Sequence, residues 1–314
     1  MQLGAAYKIN ENVAVYGGVR VNYVWNKYEG SITNISANIN GTNYPLHEYF
    51  GTTANALETQ AKALRAQAQA ITDPTTIAKL TAGAAQAEAG ANAIRKQQGE
   101  VQDKHLESTQ TGWGVTPIIG VDVKLGKWNL ASKLEFNTHL NIQNDTKRDD
   151  TGMFKHGVNT PNDIPALLTL GAQYEITPEV RVMTGWHHYF DKSAKMANDK
   201  LKLLKSDTNE FLFGAEWDVT DKILISAGTQ LTRYGLGNGA YLNDMSFVTS
   251  SYSIGFGAKF QVAKNMHVNV AYFWTNYEKF NKTTEATLGA AQVVNTDEFT
   301  RTNKAFGVGL DITF

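Results

Sequence analysis

Hydrophobic residues recur at every second position along most of this chain. From residue 306 onward Phe306, Val308, Leu310, Ile312 and Phe314 alternate with Gly307, Gly309, Asp311 and Thr313. Successive side chains of an extended strand point to opposite faces, so one face here is apolar and the other small or polar. Trp113, Val115, Ile119, Val121 and Val123 repeat the pattern, as do Phe211, Phe213, Ala215, Trp217 and Val219. The alternation predicts eleven strands, near 2–9, 12–26, 111–125, 128–142, 165–176, 179–190, 208–219, 222–234, 247–262, 265–277 and 299–314. Most are longer than the roughly 5–6 residues usual in soluble proteins, and they reach the roughly 9–11 that a tilted strand needs to cross a bilayer. The fold class expected is all-β, a transmembrane antiparallel β-barrel.

The connections alternate in length. Asn10-Glu11, Gly126-Lys127, Thr177-Pro178, Thr220-Asp221 and Ala263-Lys264 are tight, whereas 27–110, 143–164, 191–207, 235–246 and 278–298 are long. Short turns at one rim and long loops at the other are the pattern of outer-membrane barrels, with the turns periplasmic. A hairpin unit recurs at Gly4-Ala-Ala-Tyr, Gly171-Ala-Gln-Tyr, Gly214-Ala-Glu-Trp and Gly257-Ala-Lys-Phe, with an aromatic near the turn, where the apolar band meets water. Bacterial single-chain barrels have even strand numbers, so eleven leads us to expect strands missing from the N-terminal side. Met1-Gln2 also runs directly into Leu3, Ala5 and Tyr7 without the features of a signal peptide.

Residues 53–107 break the period of two. Leu57, Ala61, Leu64, Ala68 and Ile71, then Ile77, Leu80, Ala84, Ala87, Ala91 and Ile94, follow three-four spacing, which predicts two helices. Asn55 with Glu58 reads as the first start, and Asp73-Pro74 as an N-cap with proline at the first helical position of the second. The reading is one barrel over 1–314 with an α-helical hairpin at 53–107 in its longest extracellular loop. The Ala-rich seams can pack on each other or leave a groove for a slender apolar ligand.

Composition narrows the function classes. With 29 Lys+Arg and 30 Asp+Glu the net charge is −1, without the basic footprint that nucleic acid requires. Zero cysteine removes disulfides, thiolate zinc sites and thiol catalysis. No histidine pair has helical metal-ligand spacing, and His188 and Ser132, both placed outward, lie two strands apart or more, so no enzyme, metal or cofactor is expected.

These segments together resemble the FadL/OmpP1/TodX family of outer-membrane transporters for long-chain fatty acids and other hydrophobic molecules. The residues that carry the likeness are the opening Gly4-Ala-Ala-Tyr-Lys-Ile-Asn hairpin, the helix-bearing loop, Gly112-Trp-Gly-Val-Thr-Pro-Ile-Ile-Gly120, Lys133 with Glu135, Ile164-Pro165-Ala-Leu-Leu-Thr-Leu-Gly171, and the Phe314 terminus. The resemblance implies a fourteen-stranded barrel of which about eleven strands are here, with the N-terminal hatch and first strands absent. It implies passive, ligand-gated diffusion of hydrophobic molecules across the bacterial outer membrane. The implied partners are the ligand, outer-membrane lipid and lipopolysaccharide, and the barrel-assembly machinery acting through Phe314.

A carboxylate ligand would need a cation in the lumen. Parity turns Arg20, Lys124, Lys133, Arg181 and Lys259 inward, and of these Lys133, Arg20 and Arg181 are the candidate ligand-binding cations, with Leu167, Met183, Leu212 and Phe273 as apolar lining. The competing role for each cation is a lumenal salt bridge to Glu135, Glu175 or Glu216. A general diffusion porin, or an adhesion or scaffold barrel, are the alternatives left open.

Overall fold

The computed structural model describes residues 1–39, 41–243, 247–288 and 291–313, so Phe314 lies outside the described residues. Eleven strands form the continuous path of a thirteen-stranded sheet, each paired with the next, and Asn141–Asp149 and Asn159–Pro161 join it off that path. The eleven are β1 (Gln2–Lys8), β2 (Val13–Ile32), β3 (Lys104–Leu125), β4 (Trp128–Glu135), β5 (Leu167–Glu175), β6 (Val180–Tyr189), β7 (Asn209–Thr220), β8 (Ile223–Arg233), β9 (Ser251–Ala263), β10 (Met266–Tyr277) and β11 (Thr302–Ile312). Each expected strand is present. The chain divides into two compact units, one of Met1–Val24, Thr111–Gln143 and Asn159–Phe314, the other of Trp25–Gln110 and Asn144–Val158.

The two faces of the sheet are inverted relative to a water-soluble protein. On β11, Phe306, Val308 and Leu310 are 72%, 66% and 57% exposed. On β7, Phe211, Phe213 and Trp217 face outward, while Leu212, Gly214 and Glu216 are more sheltered. Leaving a large apolar side chain in water forgoes roughly 1.5–3 kcal/mol, so a wall of them is matched to lipid. No described helix is long and apolar enough to cross a membrane.

Three boundaries differ most from the sequence reading. β2 and β3 extend to Ile32 and back to Lys104. The strand expected over 128–142 stops at Glu135 and resumes at Asn141–Asp149. One register nevertheless runs through the gap, pairing Glu135 with Leu167, Thr138 with Ile164 and Asn141 with Pro161. In that register Asn137 faces Pro165, which has no N–H to give to a ladder. Buried Asp163 takes over, accepting hydrogen bonds from Asn137 Nδ2 (3.1 Å), the Leu140 backbone N (3.1 Å) and the Lys195 backbone N (3.2 Å). His139 thereby leaves the strand and is exposed.

The turns keep their places. Asn10 Oδ1 accepts from the backbone N–H groups of Asn12 and Val13, and Gly126 adopts φ +60°, a conformation that glycine enters without steric cost. The last two turns are centred one residue later than expected, because Thr220 pairs with Ile223 and Ala263 with Met266 after local register shifts.

The long loops carry structure that alternation does not reveal. Residues 280–288 and 291–299 form a hairpin. Leu201, Leu204, Leu236, Leu242 and Phe299, with Tyr241, close into a small apolar core from three different loops.

Helices α1 (Leu46–Gln69) and α2 (Pro74–Glu100) replace the two expected within 53–107. The first begins nine residues before the expected Asn55 start, directly after Pro45 and without a side-chain cap. The second begins as expected, with the Asp73 carboxylate accepting from the Thr76 backbone N. Residues 104–107, expected in the insert, belong to β3. Ala54, Ala61, Ala84 and Ala91 are buried between the helices. Leu57 reaches over Gly90 and Leu64 over Gly83, in each case 3.4 Å from where a Cβ would stand. Arg65 grips Glu88 (2.8 and 2.7 Å), and Arg95 meets Glu58 (3.1 Å). The Ala-rich seams of the hairpin are therefore closed by the opposite helix, so the ligand groove considered from sequence does not lie between them.

Candidate lumenal site

The inner face of β6–β10 is organised in transverse rows set by strand register. One row runs Met183, Gly214, Gly228, Gly255, Phe273. Three consecutive strands thus present no side chain, and the two ends present large ones. A Cβ on Gly214 would stand 3.2 Å from Met183 Cγ, and one on Gly255 would stand 3.1 Å from the Phe273 ring, which places all of them on one face. The result is a trough of about 500 Å³ floored by glycine.

The rows on either side finish it. Toward the loops, Gly185, Leu212 and Gln230 follow in register. Toward the turns the order is Arg181, Glu216, Ser226, Gly257. Arg181 donates to Glu216 Oε2 (3.2 Å) and to Asp218 (2.7 Å). Glu216 Oε1 takes no hydrogen bond from a described residue, and both Glu216 and Ser226 line the trough. A Cβ on Gly257 would stand 2.7 Å from Ser226 Oγ, so the hydroxyl lies over that glycine.

At the loop end Glu210 gathers four donors. His187 Nδ1 lies 3.0 Å from Oε2, which also accepts from Tyr189 Oη (3.1 Å), while Oε1 accepts from Gln230 Nε2 (2.9 Å) and Thr232 Oγ1 (3.1 Å). A carboxylate so satisfied is a structural cross-strand tie.

The structure sorts the residues singled out by sequence. Met183, Leu212 and Phe273 come together in the trough. Leu167 does not; it pairs with Glu135 on one side and Tyr189 on the other. Arg20 and Lys133 both lie 2.7 Å from Glu135, one on each carboxylate oxygen, so both make the lumenal salt bridge that was the alternative to ligand binding. Arg181 does likewise with Glu216 and Asp218. Lys259 sits 3.7 Å from Asp311, and Lys124 is exposed near a turn. A smaller cavity of about 210 Å³ adjoins Lys133, Tyr16 and Gly120. Sequence reasoning missed the glycine floor and the role of Glu216. The visible signal was the recurring glycine of the hairpin unit, which says that inward positions are small but not which ones align.

No protein-family model matches the chain, and no curated protein matches it. Solved structures do. A FadL homologue of Pseudomonas aeruginosa is similar at TM-score 0.60 with 12% identity, over 99% of this chain and 66% of that one. The Pseudomonas putida toluene transporter TodX is similar at TM-score 0.50 with 12% identity, over 100% of this chain and 68% of that one. The Ralstonia pickettii toluene transporter TbuX gives 0.50 and 11%, over 99% and 66%. The chain thus spans about two thirds of the length of these structures. Identities this low speak to fold, and the eleven-strand wall with its helix-bearing loop is the fold of a FadL-type outer-membrane β-barrel.

Proposed function

We propose that this protein carries hydrophobic small molecules across the outer membrane by passive, ligand-gated diffusion through the barrel. The observation that carries the proposal is the trough, an apolar cavity on the inner face of a wall whose outer face is matched to lipid. An apolar solute gains about 0.8 kcal/mol per CH₂ on leaving water, so such a cavity concentrates it past the polar leaflet, where a water-filled pore offers no gain. The fold of the toluene transporters TodX and TbuX supports the reading, and long-chain fatty acids are the other ligand class it admits. The chemistry needs no catalytic residue, metal or cofactor.

The test is uptake of radiolabelled toluene and oleate by cells lacking the protein and cells expressing it at full length, with ion conductance of the purified protein in planar bilayers. Faster uptake of either ligand with low steady conductance is expected. Unchanged uptake of both overturns the proposal, and large steady conductance favours a porin.

A further inference from the structure

The inward polar groups of the trough are Gln230 at the loop end, whose amide N is spent on Glu210 and Thr232, and Glu216 with Ser226 at the turn end. Across its middle lie Met183, Leu212 and Phe273 over bare glycine backbone, and at the turn end stand Glu216 Oε1 and Ser226 Oγ. Alternate residues on a strand are about 7 Å apart, so the three rows span about 14 Å. That length suits a molecule with an apolar body and a single polar head.

The charge pattern chooses the head. β6–β10 turn Glu210, Glu216 and Asp218 to the inner face against Arg181 and Lys259, with His187, His267, Tyr189 and Tyr277 as the other titratable groups. Both cations are committed, Arg181 to Glu216 and Asp218, and Lys259 to Asp311. A carboxylate head would meet the Glu216 carboxylate without an unengaged cation among the described residues of these strands. Like charges at such range repel strongly away from bulk water. A hydroxyl head would instead donate to Glu216 Oε1, and a hydrogen bond to an ionised acceptor is of the stronger kind.

We infer that the trough is a binding site for uncharged amphiphiles, an apolar body ending in a hydroxyl donor of the phenol or alcohol class, and that Glu216 is its selectivity residue against carboxylates. This rests on the transport reading of the same cavity. It goes beyond that reading by ranking ligands of equal size.

Equilibrium binding of p-cresol, toluene and p-toluate to the full-length protein tests it, since the three differ in one ring substituent. p-Cresol is expected to bind roughly tenfold tighter than p-toluate and severalfold tighter than toluene. Glu216→Gln, which leaves Arg181 its bond to Asp218, should collapse the p-cresol/p-toluate ratio toward one. Gly228→Val should weaken all three, with heat-modifiable migration in detergent reporting that the barrel still folds. Binding of p-toluate equal to or tighter than p-cresol overturns the inference, as does a ratio that survives Glu216→Gln. If toluene binds and crosses but p-cresol has no advantage, the selectivity claim fails and the transport reading stands. If none of the three binds or crosses, and oleate uptake is also unchanged, the transport reading itself fails.

Discussion

Glu135 illustrates how single residues organise the lumen. Its side chain is 9% exposed and holds Arg20 from β2 and Lys133 from its own strand at 2.7 Å each. Removing the acid leaves two cations side by side on the inner wall. Glu135→Ala is therefore expected to destabilise the barrel by about 1.5–3 kcal/mol, read as a lower urea midpoint in detergent, and Glu135→Gln should recover part of the loss by keeping an acceptor. Parity in the sequence already turned Arg20, Lys133 and Arg181 inward, because a period of two is enough to assign faces. What it could not supply was register. Arg20 and Glu135 are 115 positions apart, and the strands that align Gly214, Gly228 and Gly255 are fixed by turn geometry and by shifts such as that between Asp218 and Thr220. A slip of one residue would dissolve the trough while leaving every alternation in the sequence intact.

The helical hairpin is the element whose packing makes the sharpest demands. A Cβ at residue 90 would rest 3.4 Å from Leu57 Cδ1, in contact but not in collision. Gly90→Ala should thus stabilise α2 by up to about 1 kcal/mol, because alanine is the better helix former, whereas Gly90→Leu should cost about 1–3 kcal/mol through overpacking. Hydrogen exchange of the α2 amides separates the two outcomes. The start of α2 was legible because Asp73-Pro74 states it chemically. The start of α1 was not, since it follows Pro45 with no capping side chain, whereas Asn55 with Glu58 carries the residue pattern of a cap inside the helix. Charge adds a second expectation for the loops. Burial, with Asp207 nearby, raises the pKa of Asp191 above the ordinary aspartate value, although the Thr208 backbone N donates to its carboxylate. A carboxyl raised in the fold binds its proton more tightly folded than unfolded. The region around Asp191 should become more stable as pH falls from neutral through that raised pKa toward the ordinary value, and lose that gain as pH rises again. Asp191→Asn should flatten the dependence in local hydrogen exchange. Asp73, held below its ordinary value by Thr76, has the opposite sign: its cap is present above the ordinary carboxylate range and is lost as pH falls through the lowered pKa.

At the scale of the whole molecule, the sheet presents large apolar side chains on one face and small or polar ones on the other. Few buried apolar side chains belong to the strands. They gather instead between α1 and α2 and in the small core of the loops, where ordinary water-driven packing applies. A soluble sheet of this length would bury Phe306, Val308 and Leu310; here all three stand exposed on the face opposite Asp311. Because the chain contains no cysteine, that inversion can be read position by position. Single cysteines at 306, 308 and 310, and at 307, 309 and 311, would be probed with a maleimide confined to the lipid phase and with a small charged maleimide added to water. The first set should react with the lipid-confined reagent and resist the charged one, and the second set should do the opposite, flipping at each step along β11. Uniform labelling by the charged reagent would mean that the apolar face of this strand is in water. The trough would then lie on the surface of a soluble sheet, and neither transport nor selectivity at Glu216 would follow from it.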